Sequence, residues 1–139
     1  MLLCVKNRRR FIRTGNTMYW KQTEEMDQPL LKQIHGGIGK IKRRNLFGNL
    51  SKLPIKSEIW ELEQGVSEGE HSHEGAHPLE EIYYFLEGQG LMIIDGEEIP
   101  VCQGDAIMVS PETRRGLANT GHSLLKLVII WGEPGKSYL

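Results

Sequence analysis

The sequence has little cysteine: Cys4 and Cys102 are the only two in 139 residues, and no CxxC spacing occurs. We therefore expect reduced thiols rather than a disulfide framework or a zinc motif, with Cys102 a buried thiol and not a nucleophile. No apolar run is long enough to cross a bilayer. The short apolar start precedes a basic cluster, whereas a secretory signal places its charges first. These absences favour a cytoplasmic protein.

Charge of one sign is not in excess either, because 17 basic and 18 acidic residues give a formal net charge of -1. No global field attracts nucleic acid or an anionic membrane, and we expect neither as a partner. The length fits one domain with a real hydrophobic core.

Long helical patterns are missing as well. Residues 1–35 have no sustained periodicity, and Pro29 interrupts the one weakly helical stretch. We expect this region to be an irregular arm, partly disordered or packed on a partner subunit, and translation could begin at Met18. The glycine-rich "HGGIGK" after it matches neither GxxxxGK[ST] nor GxGxxG, so we interpret it as a turn and give His35 no role.

What the sequence does have is a series of short strand patterns from Pro54 onward. Apolar segments of strand length alternate with turn signals every eight to twelve residues, and Asp95-Gly96 between apolar residues is a strong hairpin signal. This pattern predicts an all-β sandwich or barrel over residues 36–139.

The stretch "GVSEGEHSHEGAHPLEEIYYFLEG" (residues 65–88) concentrates side chains that can bind a metal. His71 and His73, two apart on a strand, project from one face, and Glu81 opens the next strand with Tyr83 and Phe85 on the face of its carboxylate. If the two strands pair across the loop, two imidazoles and one carboxylate converge. These are the ligand types of a 2-His-1-carboxylate site for a divalent ion. A merely solvated histidine-rich loop is the alternative that spacing leaves open.

The same stretch resembles the first motif of the cupin superfamily. That motif runs glycine, five residues, HxH, a spacer, glutamate, six residues and glycine, matched here by Gly65, His71, His73, Glu81 and Gly88.

A second cupin motif, with a glycine, a proline, a histidine and an asparagine, is similar to Gly104, Pro111 and Asn119 in "GDAIMVSPETRRGLANTG". The resemblance covers about residues 55–131. It implies an antiparallel jelly-roll barrel with a short irregular N-terminal arm, in which His71 and His73 bind one divalent transition metal together with the motif's glutamate.

Two departures from the cupin pattern bear on function. The spacer before Glu81 has seven residues and carries His77, either an exposed loop residue or a supplementary ligand or proton donor at the barrel mouth. Arg115 stands where cupins usually supply the last histidine ligand, and a guanidinium does not bind a divalent cation. Arg115 beside a metal instead suits a carboxylate ligand, although it could also point outward or pair with Glu112.

We therefore expect a small cupin with one divalent metal (Fe, Mn, Zn or Ni) and a small acidic or oxygen-rich ligand contacted by Arg115, Phe85 and Tyr83. A metal-dependent dioxygenase or isomerase is one possibility, and in the isomerase Tyr83 or His77 would move a proton. The other is a non-catalytic carboxylate-binding or sensing module with weak or no metal, because Arg115 removes a ligand. Uncovered strand edges and an outward apolar face favour a homodimer.

Overall fold

A computed structural model of the chain describes residues 18–135, and within them the structure is almost entirely β. The strands form two antiparallel sheets, so the all-β, antiparallel prediction is confirmed. The elements are one short 3-10 helix, Glu24–Met26, and ten strands: β1 Leu30–Lys32, β2 Ile41–Asn45, β3 Ile55–Leu62, β4 Ser67–His71, β5 Glu80–Glu87, β6 Gln89–Ile94, β7 Glu97–Cys102, β8 Ala106–Val109, β9 Arg115–Ala118 and β10 Leu125–Gly132.

One sheet has six strands in the order β1-β2-β3-β10-β5-β8, and the other has four in the order β4-β9-β6-β7. The core consists of large apolar side chains from strands of both sheets: Trp60, Leu62, Phe85, Met92, Val101, Leu117, Leu125, Leu127 and Ile129, among others. Non-consecutive neighbours in both sheets, such as β10 between β3 and β5, are the crossovers of a jelly roll.

Strand β5 shows how the alternation of side chains orients the site. Glu81, Tyr83 and Phe85 are buried, whereas Tyr84 and Leu86 are exposed on the opposite face. The inward parity expected for the first three residues is therefore what the structure has. The outward apolar residues are those on which the homodimer expectation depends, and the homodimer stays a prediction.

The β6–β7 hairpin turns at the expected dipeptide. Asp95 and Gly96 have φ of 48° and 82°, the left-handed values that a tight hairpin requires. The expectation that Cys102 is buried is wrong. In β7 it is Val101 that faces the core, so Cys102 points outward and is exposed, and its backbone N–H donates to Asp105 at 2.8 Å.

Strands β1 and β2 were not predicted, because three of the five residues of β2 are basic and its sequence was interpreted only as a basic cluster. The charges are accommodated by the neighbouring strand: Arg43 makes two hydrogen bonds of 2.7 and 2.8 Å to Glu58 on β3, and Lys42 lies 3.2 Å from Glu61. Ile41 alone carries the strand's inward hydrophobic contact. Cross-strand ion pairs therefore stabilise this strand, which lacks the alternation of apolar residues from which a strand is predicted.

The turn that follows β1 packs backbone against backbone on β4. The Gly69 N–H donates to the carbonyl oxygen of Ile34 at 3.1 Å, and a Cβ on Gly69 would lie 1.8 Å from the carbonyl oxygen of His35. A Cβ on Gly37 would lie 2.0 Å from the carbonyl oxygen of Ser67. Only glycine permits this approach at both positions.

Replacing Gly37 with alanine is expected to lower the free energy of unfolding by about 1–3 kcal/mol, because the new methyl group meets rigid backbone atoms. Gly135→Ala is the matched control, since nothing lies within 4 Å of its added Cβ. Urea denaturation of the two variants and the parent measures the difference. Equal stability of the two variants would contradict the close packing of the turn on β4.

The division of the chain into an arm (residues 1–35) and a barrel (residues 36–139) stays a prediction. Its first 17 residues, with Cys4, lie outside the described part of the chain. Among residues 18–135 no helix is long and apolar enough to cross a membrane.

Candidate metal and ligand site

The histidines and the glutamate of the first motif come from facing sheets. His71 ends β4 of the four-stranded sheet, and Glu81 lies in β5 of the six-stranded sheet. The two strands do not pair with each other, which was the condition considered for bringing these side chains together, since β4 pairs with β9 and β5 pairs with β10 and β8. The side chains instead meet across the interior between the sheets, and the seven-residue spacer spans that gap.

Three candidate ligand atoms converge there. His71 Nε2 lies 3.1 Å from His73 Nε2, and Glu81 Oε1 lies 3.3 Å from His73 Nε2 and 3.8 Å from His71 Nε2. A point about 2.0 Å from all three atoms exists in their plane, which matches the bond lengths of a transition metal to imidazole nitrogen and carboxylate oxygen. The donor set present therefore fits a divalent metal.

Backbone contacts hold both imidazoles in place. His71 Nδ1 lies 2.8 Å from the carbonyl oxygen of Gly69, an acceptor only, so Nδ1 carries the proton and Nε2 presents its lone pair to the cluster. The backbone N–H of His73 donates to the carbonyl oxygen of Pro111 at 2.9 Å, and its own carbonyl oxygen accepts from Leu79 at 3.0 Å. The second pair closes the inserted spacer into a loop.

The two imidazoles differ in basicity. Burial alone would lower the pKa of His71, but the interactions with Glu81 and with the Gly69 carbonyl together raise it. Burial lowers the pKa of His73, and the charge of Glu81 only partly offsets that effect. A neutral imidazole is the form that binds a metal ion.

His35 is the site residue that sequence reasoning missed. Its ring stacks on His71 with centroids 3.5 Å apart and planes 15° apart, and meets His73 edge-on at 5.6 Å. One nitrogen from each of the three rings lies within 4.8 Å of the other two. Partial burial and then the nearby charges of the other two histidines lower the pKa of His35 to about 4. The only sequence signal was a histidine directly before two glycines.

Arg115 points into the barrel, and its exposed neighbour Arg114 points out. The Arg115 side chain is 0% exposed, its Nε lies 3.2 Å from Glu81 Oε1, and its Nη2 donates to the carbonyl oxygen of Ser110 at 2.9 Å. Its Nε thus forms an ion pair with Glu81, whereas its Nη1 is enclosed without a hydrogen-bond acceptor among the described residues. A positive charge with unused donors thus lies directly beside the carboxylate of the cluster.

A buried carboxyl group, that of Glu68, lies close to the cluster, and regular alternation along β4 does not predict it. Glu68 accepts a hydrogen bond of 3.0 Å from the hydroxyl of Tyr83, whose oxygen is 3.5 Å from Glu81 Oε1. Glu68 and His71 both face inward despite their odd spacing, because the register of β4 against β9 shifts between them. Burial, followed by the charge of Glu81, raises the pKa of Glu68 to about 7, and burial raises that of Tyr83 well above its usual value.

The remaining residues proposed from the sequence lie apart from the cluster or behind it. Phe85 is fully buried in the hydrophobic core. His77 lies on the inserted loop with its side chain 89% exposed, and its Nδ1 is 3.9 Å from Glu133 Oε2. The structure thus brings His71, His73, Glu81 and Arg115 together with Tyr83, and leaves His77 facing solvent.

Comparison with known proteins agrees with this architecture. Residues 58–131 match the family described as Cupin domain, so the chain belongs to the cupin family. A cupin protein of Bacteroides fragilis is similar in structure, with 30% identity, a TM-score of 0.59 and coverage of 70% of this chain and 82% of that one. A predicted oxalate decarboxylase of Thermotoga maritima shares the fold, with a TM-score of 0.71, 24% identity, and coverage of 81% and 97%.

Two curated relatives have sequence similarity. An oxalate-binding protein of Thermotoga maritima is 26% identical over 112 residues, 78% of this chain and 89% of that protein. An uncharacterized protein of Methanocaldococcus jannaschii is 43% identical over 58 residues. That second match spans 42% of this chain and only 44% of the archaeal protein's length.

Proposed function

We propose that this cupin binds one divalent transition metal through His71, His73 and Glu81, and that a small carboxylate ligand binds at the same site. The observation that carries the proposal is the convergence of two imidazole nitrogens and one carboxylate oxygen at 3.1 to 3.8 Å. Such a donor set leaves further coordination positions open for an oxygen ligand. Iron, manganese, zinc and nickel are the metals to test.

The charge of the site supports an anionic ligand. A divalent cation and Arg115 together carry three positive charges, which outweigh the negative charge of Glu81 even when Glu68 adds a second one. The curated relative named as an oxalate-binding protein supports a small dicarboxylate. Oxalate, which can chelate a metal with two oxygens, is therefore the first ligand to test.

Arg115 contributes to this proposal through its unused donors. Its planar guanidinium suits a carboxylate, and its Nη1 has no acceptor within residues 18–135 while its Nε is ion-paired with Glu81. Because the side chain is fully buried, a ligand carboxylate reaches it only after neighbouring side chains move. We propose that Arg115 attracts the ligand by its charge, and that Tyr83 closes the inner side of the site, with Phe85 packed in the core behind it.

We favour binding over catalysis because the proton-transfer groups proposed from the sequence are otherwise engaged. The Tyr83 hydroxyl donates to Glu68 within a fully buried setting, and His77 faces solvent. When bound, a divalent metal would supply a Lewis acid and a template for either dioxygen activation or carbonyl polarisation. The catalytic alternative is a dioxygenase or isomerase in which Tyr83 moves the proton.

Metal content tests the first half of the proposal. Protein purified without chelator, or reloaded with Fe, Mn, Zn or Ni, is expected to hold about one ion per chain by elemental analysis, because the described histidine cluster forms one site. His71→Ala and His73→Ala are expected to lose the ion. His77→Ala is the matched control and should retain it, since that side chain is exposed. A wild-type protein that binds none of the four metals contradicts the proposal.

Calorimetry with oxalate tests the second half on the same samples. Heat of binding is expected from metal-loaded protein and not from protein treated with a chelator. Following oxygen consumption and the fate of the added acid then separates a binding protein, which leaves both unchanged, from a dioxygenase or an isomerase.

A further inference from the structure

We propose that His35 is a third imidazole ligand of the metal site, supplied from the turn before β2 in place of the histidine that the second motif lacks at Arg115. This inference rests on the proposed metal site and adds a ligand to it. It concerns a residue outside both cupin motifs, ahead of the region that matches the family.

The arrangement of the rings is the first support. The His35 ring stacks on His71 with nearly parallel planes, so it lies against the cluster, but it must turn out of the stack before its nitrogen can bind the same ion, because an imidazole binds a metal in its own ring plane. Candidate nitrogens of His35, His71 and His73 all lie within 4.8 Å of one another. Two nitrogens bound to one ion at about 2.1 Å are separated by at most about 4.2 Å, so the nitrogens are close enough to share an ion once the His35 ring has rotated toward it.

The backbone is the second support. His35 has φ of 51°, in the left-handed region that non-glycine residues rarely adopt. That conformation is held by the hydrogen bonds from Gly37 and Gly69 to the carbonyl oxygen of Ile34, at 3.0 and 3.1 Å, and by the glycine contacts with β4. Unusual backbone of this kind persists where surrounding structure over-determines it, often at ligand sites.

The chemistry at Arg115 is the third support. In the register of β4 against β9, Arg115 pairs with His71, so the residue at the second motif's ligand position is adjacent to the cluster but cannot coordinate. Its guanidinium interacts with Glu81 instead. His35 approaches His71 from the turn and restores the number of imidazoles that the substitution removed.

His35→Asn in the full chain is the variant of choice, because asparagine tolerates a left-handed φ and lacks an imidazole. Zinc affinity would be measured by competition with a chromophoric chelator. We expect His35→Asn to weaken zinc binding by at least about 10- to 100-fold, the loss typical of removing even an outer-shell partner of a metal site. His77→Asn, an exposed histidine on the inserted loop, should bind like the wild type.

Electron paramagnetic resonance of the Cu²⁺-loaded protein gives a readout independent of affinity. The number of coupled imidazole nitrogens is expected to fall from three in the wild type to two in His35→Asn. An unchanged count with unchanged zinc affinity would overturn the role of His35, while loss of metal in His71→Ala would leave the proposed function standing. A wild-type protein that binds no metal would overturn both.

Discussion

Replacing Arg115 with methionine is expected to lower the free energy of unfolding by about 3–5 kcal/mol, the cost of breaking a buried ion pair by removing one partner. The side chain is fully buried, and Glu81, at 4% exposure, lies 3.2 Å from its Nε. Methionine keeps a similar length without the charge. The Glu81 carboxylate is then left in a low-dielectric interior without its counter-charge, close to the histidines, to Tyr83 and to the carboxyl group of Glu68.

Urea denaturation in the presence of a chelator measures this effect without metal binding. Arg114→Met is the matched control at the adjacent, exposed position, and a change within about 0.5 kcal/mol is expected there. The double variant Arg115→Met, Glu81→Gln should recover part of the loss, because both partners of the pair are then removed. A loss below about 1 kcal/mol in Arg115→Met, with no recovery in the double variant, would show that the pair does not stabilise the fold.

Much of the barrel could be predicted because local signals agree with the tertiary structure. The Asp95-Gly96 turn and the inward parity of Glu81, Tyr83 and Phe85 follow from backbone sterics and from the period of two along a strand. The two cupin motifs then indicated how the strands connect. In such segments one physical rule acts alone, and the sequence pattern carries it directly.

The errors fall where two elements interact. Pairing β4 with β5 was the simplest topology across a short loop, but the seven-residue spacer instead connects two sheets. Strand β2 was hidden because its basic residues are neutralised by β3. The expectation of a buried Cys102 rested on the absence of an activating partner, whereas the alternation of β7 buries Val101 and exposes Cys102.

Only some residues of the candidate site could be predicted from the sequence, for a similar reason. Spacing marked His71, His73 and Glu81, but His35 lies 36 residues before His71 and reaches it through glycine contacts that no local pattern predicts. Glu68 was hidden by the register shift in β4, since regular alternation cannot place it and His71 on one side. Long-range backbone packing and strand irregularities are the parts that require the structure.

Replacing Glu68 with glutamine is expected to stabilise the protein at alkaline pH by about 3 kcal/mol and to leave it unchanged near pH 4. The folded carboxyl has a pKa of about 7, raised by burial and by the charge of Glu81, against an ordinary value of 4.5. Between these two pH values the folded state binds more protons than the unfolded state. The contribution of Glu68 to stability therefore falls as pH rises through this window.

Glutamine keeps an acceptor for the Tyr83 hydroxyl and cannot ionise, so it removes the penalty without opening a cavity. Urea denaturation of wild type and Glu68→Gln at pH values from 4 to 8, with chelator present, should give a difference that grows between about pH 4.5 and 7 and then levels off. Glu70→Gln, an exposed glutamate on the same strand, is the matched control and should give a flat difference. A difference for Glu68→Gln that does not change with pH would mean that the buried carboxyl ionises in the folded protein as readily as in water, and the acid beneath the histidine cluster would then carry a full negative charge at neutral pH.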